Sequence, residues 1–423
     1  MGIDVDGTLS PELLRQVTYL GTVLSSFPQA EAALGHLLGV PVGRKLIERT
    51  TERIGAERVG GRDTDIECHE LRTLMVLTAG PARVTPPVVG AVMADGGRFQ
   101  RTQKNADATS HWGEYKAGLC LTLAEQTDET PLGEDPHPAV PDFLLSAECV
   151  RTLTTEIARK AADVPETTDA TDPAVESASG TVGDTAPDNR EPPVLSPKVT
   201  AREVVATTRD ASAFSAMLYA RAWESGLFQS DRKAFVGDGS SWIWTIWSKR
   251  FKAWKFVPIL DVIHAVTHIY AAAMAGRTLS EGWPIYEQWI SWIWNSQVER
   301  VIAAVRERAA ELGEPTDDDG PTSIRGIVWA TLGYLENLQS RMDYANYLRA
   351  GLPITSSHME SAVKELNHRI KGSEKFWSES GGESVLQLKA DELSTSVPLE
   401  SFWNSRPKTR TGLRSRCRKP TPA

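Results

Sequence analysis

Residues 233–268 read KAFVGDGSSWIWTIWSKRFKAWKFVPILDVIHAVTH. Twice an apolar run ends in an aspartate, at Asp238 and at Asp261, and twice a helical pattern follows. KAFVGDG reads as a strand, SSWIWTIWSKRF as a helix capped by serine, KFVPILD as a second strand, and VIHAVTHIYAAAMAG as a second helix. A buried strand that ends in a carboxylate delivers it to the carboxyl edge of a sheet, where α/β proteins build their sites.

The pattern extends outward from there. Upstream, PPVVGAVMADG is an apolar strand running into Asp95, HWGEYKAGLCLTL alternates like a second strand, KVTAREVVATT is a third, and SAFSAMLYARAWESG is a helix. Downstream, residues 266–350 are almost wholly helical and rich in Trp and Leu, and SHMESAVKELNHRIKG is a helix with Glu360 in its first turn. Near the N-terminus, PQAEAALGHLLG and LIERTTERIGAE flank VPVGRK, the outline of a helix-turn-helix and also of a plain helical hairpin. The expected organisation is a helical domain over 1–85, the first core strands over 86–124, and an acidic Pro/Thr-rich insertion, partly disordered, over 125–196. The core resumes over 197–265, a helical insertion fills 266–353, the last core helix and its sequel take 354–400, and a basic tail takes 401–423.

Composition narrows the class. The 423 residues are 41% hydrophobic, enough for a real core, and no apolar run reaches membrane-spanning length, because SSWIWTIWSKRFKAWKF is broken by Lys and Arg. The opening MGIDVDGTLS lacks the layout of a signal peptide, and Cys68, Cys120, Cys149 and Cys417 are scattered, which fits a reducing cytoplasm and no structural zinc. The net charge of -9 is segregated: residues 161–193 carry eight acids against one arginine, while the stretch from 405 has seven Lys/Arg and no acid. A basic tail suits phosphate contacts, and a merely solvated tail has the same composition.

Three converging carboxylates on a mixed α/β core, Asp95, one of Asp238 and Asp261, and Glu360, are what a two-metal phosphoryl-transfer site needs. Each also has a plainer reading. Asp95 and Asp238 precede glycines, as β-turn aspartates do, and Asp261 caps a helix. Asp261-x-x-His264 is followed one turn on by His268, a spacing that suits a metal-binding pair; the apolar residues around His264 favour instead a half-buried imidazole that holds a carboxylate. The tryptophans read as core. IDVDGTLS imitates the nucleophile motif of haloacid-dehalogenase-type phosphatases at Asp4, but no buried strand precedes it.

The chain resembles the DDE-type bacterial insertion-sequence transposases of the ISKra-type group, related to Mutator-like elements. The matching pieces are ADGGRF with WGEYKAG, GDGSSWIW, ILDVIHAVTH, YLRAGLPITSSHMESAVKELNHRIKG and the FW…LxLxA segment at 376–390, spanning about 90–124 and 230–395. The resemblance implies a ribonuclease-H-like mixed sheet with an all-helical insertion before the last core helix, plus an N-terminal helical domain. It implies Asp95, Asp238 and Glu360 as catalytic and metal-binding triad, with Asp261 and His264 as its (C/D)xxH element in support. It implies two Mg²⁺ or Mn²⁺ ions, element-end and target DNA as partners, a homo-oligomer assembled on that DNA, and a bacterial, nucleoid-associated location away from any membrane. Arg369 and Lys371, on the helix of Glu360, are the expected phosphate contacts. Thr355-Ser356-Ser357-His358 stands where the family commonly has Gly-Ser-Gly, and Thr267 where it often has an acid. The alternatives are a catalytically inactive, transposase-derived DNA-binding protein and a ribonuclease-H-like nuclease.

Overall fold

The computed structural model describes residues 9–103, 111–125, 139–162, 197–372 and 374–406. Asp4, the acidic segment from 163 onward and the basic tail from 407 lie outside the described residues.

One mixed sheet forms the centre: β1 (Val89–Arg101), β2 (Trp112–Leu123), β3 (Val199–Thr207), β4 (Arg232–Gly237) and β5 (Val257–Leu260), in spatial order β3-β2-β1-β4-β5. A two-residue strand, β6 (Phe376–Trp377), pairs with the far end of β1. The first three strands run antiparallel to one another in turn, and β4 and β5 run parallel to β1. Val89 to Ala94 are buried at every position, as a strand covered on both faces must be. The sequence therefore gives an apolar run there rather than an alternation, and the run ends where Asp95 begins to see solvent.

Ahead of the sheet come α1 (Pro11–Val23), α2 (Phe27–Leu38), α3 (Arg44–Glu70) and α4 (Leu74–Ala79). Helix α5 (Ala147–Ala162) lies between β2 and β3, α6 (Ala211–Glu224) links β3 to β4, α7 (Ser241–Ile246) starts the link from β4 to β5, and α8 (Val262–Met274) leaves β5. The helical insertion consists of α9 (Leu279–Trp294), α10 (Val298–Leu312), α11 (Ile324–Leu338) and α12 (Tyr344–Arg349). After it come α13 (Ser357–Ile370), α14 (Glu379–Leu393) and α15 (Pro398–Ser405). Ser240 occupies the N-cap of α7 as expected, but its hydroxyl turns back to Asp238 instead of capping the helix.

Helices cover both sides of the sheet. Helix α6 packs so closely over Gly118 that a Cβ there would stand 2.7 Å from Leu218 Cδ1. Tyr115, an odd number of residues away on β2, points to the opposite face and donates from its hydroxyl to Asn367 Oδ1 of α13 at 2.8 Å. Asp95 pairs across the ladder with Ala117, which shares the Tyr115 face, so Asp95 lies on the side that α13 covers.

The N-terminal helices are sewn to the end of the chain. Leu14, Val17, Leu34 and Ile47 share a buried cluster with Leu388 of α14 and Leu399 of α15, each such burial contributing about 1.5–3 kcal/mol. Helix α3 crosses α14 where Gly55 permits it: a Cβ there would meet Ser384 O at 2.5 Å. Part of the expected acidic insertion also packs into the core, through Leu144 and Val150, which are fully buried.

Candidate active site at the strand ends

Three aspartates stand level on three neighbouring parallel strands. Met93 pairs with Val236, and Gly237 pairs with Leu260. Two residues past the first pair come Asp95 and Asp238; one residue past the second come Asp238 and Asp261. Parallel neighbours lie about 4.8 Å apart, so the register alone draws the three into one row along the sheet.

Each is held differently. Asp95 Oδ1 accepts from Gly96 N at 2.6 Å, beside Gly97, whose missing Cβ leaves room for the Tyr115 ring: a Cβ would come within 2.2 Å of Tyr115 Cζ. Burial, and then the charge of Asp95, push the Tyr115 phenol up, so it stays a neutral donor to Asn367. Asp238 folds into a turn of its own, Oδ1 accepting from Ser240 N at 2.7 Å and Oδ2 from Ser240 Oγ at 3.0 Å.

Asp261 is buried and works as a clamp. Its Oδ1 accepts from Ile263 N at 2.8 Å, capping α8, and its Oδ2 accepts from both the amide at 3.1 Å and the hydroxyl of Ser356, at the start of α13. Asp261 N donates to Gly237 O at 2.9 Å, and Val262 N to Ile354 O at 3.0 Å. One side chain thus ties β5 and the starts of α8 and α13 together, with both helix N-termini turned toward its charge. One turn into α8 is His264; in the first turn of α13 is Glu360. Ligating atoms of Asp261, His264 and Glu360 lie within 4.8 Å of one another, close enough to share a cation.

Of the residues expected at the site, the structure joins Asp261, His264 and Glu360 in one group and sets Asp95 and Asp238 beside it on the same edge. His268 does not join His264 as a second imidazole ligand: it stacks on Tyr334 of α11, ring centroids 3.7 Å apart. Burial, and then the charge of His264, pull its pKa down to about 4. Arg369 corrects an expectation. It is 1% exposed, its guanidinium lies over Phe27 and Trp377, and its Nε donates to Gly21 O at 2.9 Å, so it fastens α13 to the N-terminal helices and does not meet phosphates. The arginine sits on the inward face of α13, which its place in the helix did not declare; Lys371, just past the helix end, is half-exposed. Ser356, Tyr115 and Tyr334 are site residues that the sequence did not single out. Only Ser356 had a signal, as one of the small residues before Glu360.

The helix-turn-helix outline is present as α2, five connecting residues and α3. Arg44, Lys45 and Arg49 are exposed at the start of α3, while Ile47, Thr50, Thr51 and Ile54 face inward. Among the described residues no helix is long and apolar enough to cross a membrane. No protein-family model matches the chain, and no curated protein matches it significantly.

Proposed function

We propose that the chain is a DDE-type transposase that cleaves and joins DNA by metal-dependent phosphoryl transfer on a ribonuclease-H-like core. The observation that carries the proposal is the row of Asp95, Asp238 and Asp261 on parallel strands, with Glu360 brought to its end by the Asp261–Ser356 clamp. Three successive antiparallel strands followed by two parallel ones, with helices between and a helical block before α13, also agree with the element order that the sequence resemblance implies.

The donor set fits two hard divalent cations such as Mg²⁺ or Mn²⁺, which favour carboxylate oxygens and retained waters. Asp95, Asp238 and Glu360 would hold them. Asp261, which already accepts from three protein donors, is better employed in fixing α13. When bound, the ions supply charge neutralisation at the scissile phosphate and activation of water or of a DNA 3′-hydroxyl. The chain's own work is placement: the Asp238 turn and the Asp261 clamp set the carboxylates before the substrate arrives, and His264 lies beside Glu360 to orient it. The N-termini of α8 and α13 favour a nearby phosphate. DNA would be gripped by the exposed basic start of α3, Lys371 and the basic tail.

The experiment is cleavage and strand transfer with Mg²⁺ or Mn²⁺ on DNA that carries the sequences flanking the gene, searched first for inverted repeats. We expect 3′-end cleavage followed by joining. Cleavage without joining would make the chain a nuclease of the same chemistry; binding without cleavage would make it an inactive relative.

A further inference from the structure

The helical insertion sends a polar group to the strand ends that no motif names. Tyr334 of α11 turns the edge of its ring to the Asp238–Gly239 turn: a Cβ on Gly239 would come within 2.3 Å of Tyr334 Cε2. Its ring also stacks on His268 at 3.7 Å. Its hydroxyl is buried and has no hydrogen-bond partner among the described residues. The charges of Asp238 and Asp261 act on it and add to burial in keeping the phenol protonated. A buried hydroxyl without a partner is a cost to folding, and phenylalanine would fill the same slot and stack on His268 without it.

We propose that Tyr334 is a positioning residue of the cation site, its hydroxyl turning to donate to the Asp238 carboxylate once an ion is held there. The inference rests on the cation-binding part of the proposed function. The groups that hydrogen-bond to an ion's ligands and steady them govern affinity nearly as much as the ligands do. A side chain from the helical insertion would then sense whether the site is loaded, and the insertion would be part of the site's support.

The test uses the full chain and Mn²⁺ alone, titrated calorimetrically into wild type and Tyr334→Phe, with melting temperatures measured in a chelator. We expect Mn²⁺ to bind about 10–100-fold more weakly to the variant, while its melting temperature in chelator stays equal or rises. Equal Mn²⁺ affinity would overturn the proposal, and so would a lower melting temperature in chelator, which would show the hydroxyl already bonded in the ion-free fold. If wild type itself fails to take up Mn²⁺, the cation reading falls and this inference with it. If wild type binds Mn²⁺ and the variant is weakened but neither cuts DNA, the role of Tyr334 stands and the transposase reading falls.

Discussion

Two polar regions of this molecule, the seam of α3 with α14 and the strand ends, are built on opposite plans. Along the seam of α3 and α14 each charge meets its opposite. Arg58 forms a fork with Asp391 at 2.7 and 3.1 Å, and Arg62 reaches Gln387 and Glu383, each at 2.9 Å. Glu383 accepts in addition from Thr207 Oγ1 at 2.8 Å and Thr208 N at 2.6 Å. At the strand ends carboxylate stands next to carboxylate. Asp238 and Asp261 are met there by amides and serine hydroxyls instead of guanidinium groups, and a tyrosine hydroxyl is left over. The seam is chemically closed. The strand ends concentrate negative charge that a folded chain does not need, and that a divalent cation would relieve.

The sharpest way to break the contrast is Glu360→Gln. The change keeps size and removes the charge. On the proposed function we expect DNA cleavage and joining to drop by orders of magnitude, because losing a carboxylate that would bind metal would remove several kcal/mol of transition-state stabilisation on the general scale for metal catalysis. Gel-shift binding to element ends and the melting temperature should stay near wild type. Cleavage at a near-wild-type rate would take Glu360 out of the site.

At the seam the same kind of change should act on stability. Asp391→Ala leaves Arg58 buried without its partner, which costs about 3–5 kcal/mol; urea unfolding of the two proteins measures it. A loss under 1 kcal/mol would mean that the seam is open to water and that the comparison is false. Ser356→Ala lies between the two regions in kind. It removes one of three donors to a buried carboxylate, so a loss of about 1–2 kcal/mol is expected by the same denaturation measurement. Cleavage should fall too, since α13 loses a tether; full activity with that loss would detach the clamp from the chemistry.

The strand-end plan was readable in the sequence because its parts are local. Apolar runs that stop at Asp95, Asp238 and Asp261 mark both the strands and their carboxyl ends. The seam was not readable. Helix α14 contributes Glu383, Gln387, Lys389 and Asp391 to the interior alongside Val385, Leu386 and Leu388, so it has no polar face and no amphipathic period. Its polar residues are buried because α3 brings arginines from more than 300 residues away in sequence, a pairing that no local pattern announces. Arg369 misled for a related reason: near the end of a helix and next to the exposed His368, an arginine that packs under Trp377 looks like one that meets solvent. Tyr334 was invisible because a tyrosine in a long helical stretch is ordinary until Gly239 and His268 are seen against it.

The smallest expected effect concerns pH and belongs to the far end of α3. His69 is 1% exposed, edge-on to Tyr219 and Trp223 at ring separations of 5.5 and 5.4 Å, and neither of its ring nitrogens has a hydrogen-bond partner among the described residues. Burial first, then the charge of Arg72 and more weakly Arg250, pull its pKa down to about 4 against the opposing charge of Glu70. In the unfolded chain a histidine titrates near 6.5, so between those values the unfolded state binds a proton that the native state refuses. Stability is therefore full above pH 6.5 and is lost progressively as pH falls toward 4. Urea midpoints taken from pH 7 to pH 4.5 should fall, and His69→Phe, which keeps an aromatic ring in the slot, should flatten that slope. His268, held near 4 as well, sustains the remainder. An unchanged slope in His69→Phe would mean that His69 accepts its proton in the folded chain, with Glu70 outweighing both arginines and the cost of burial.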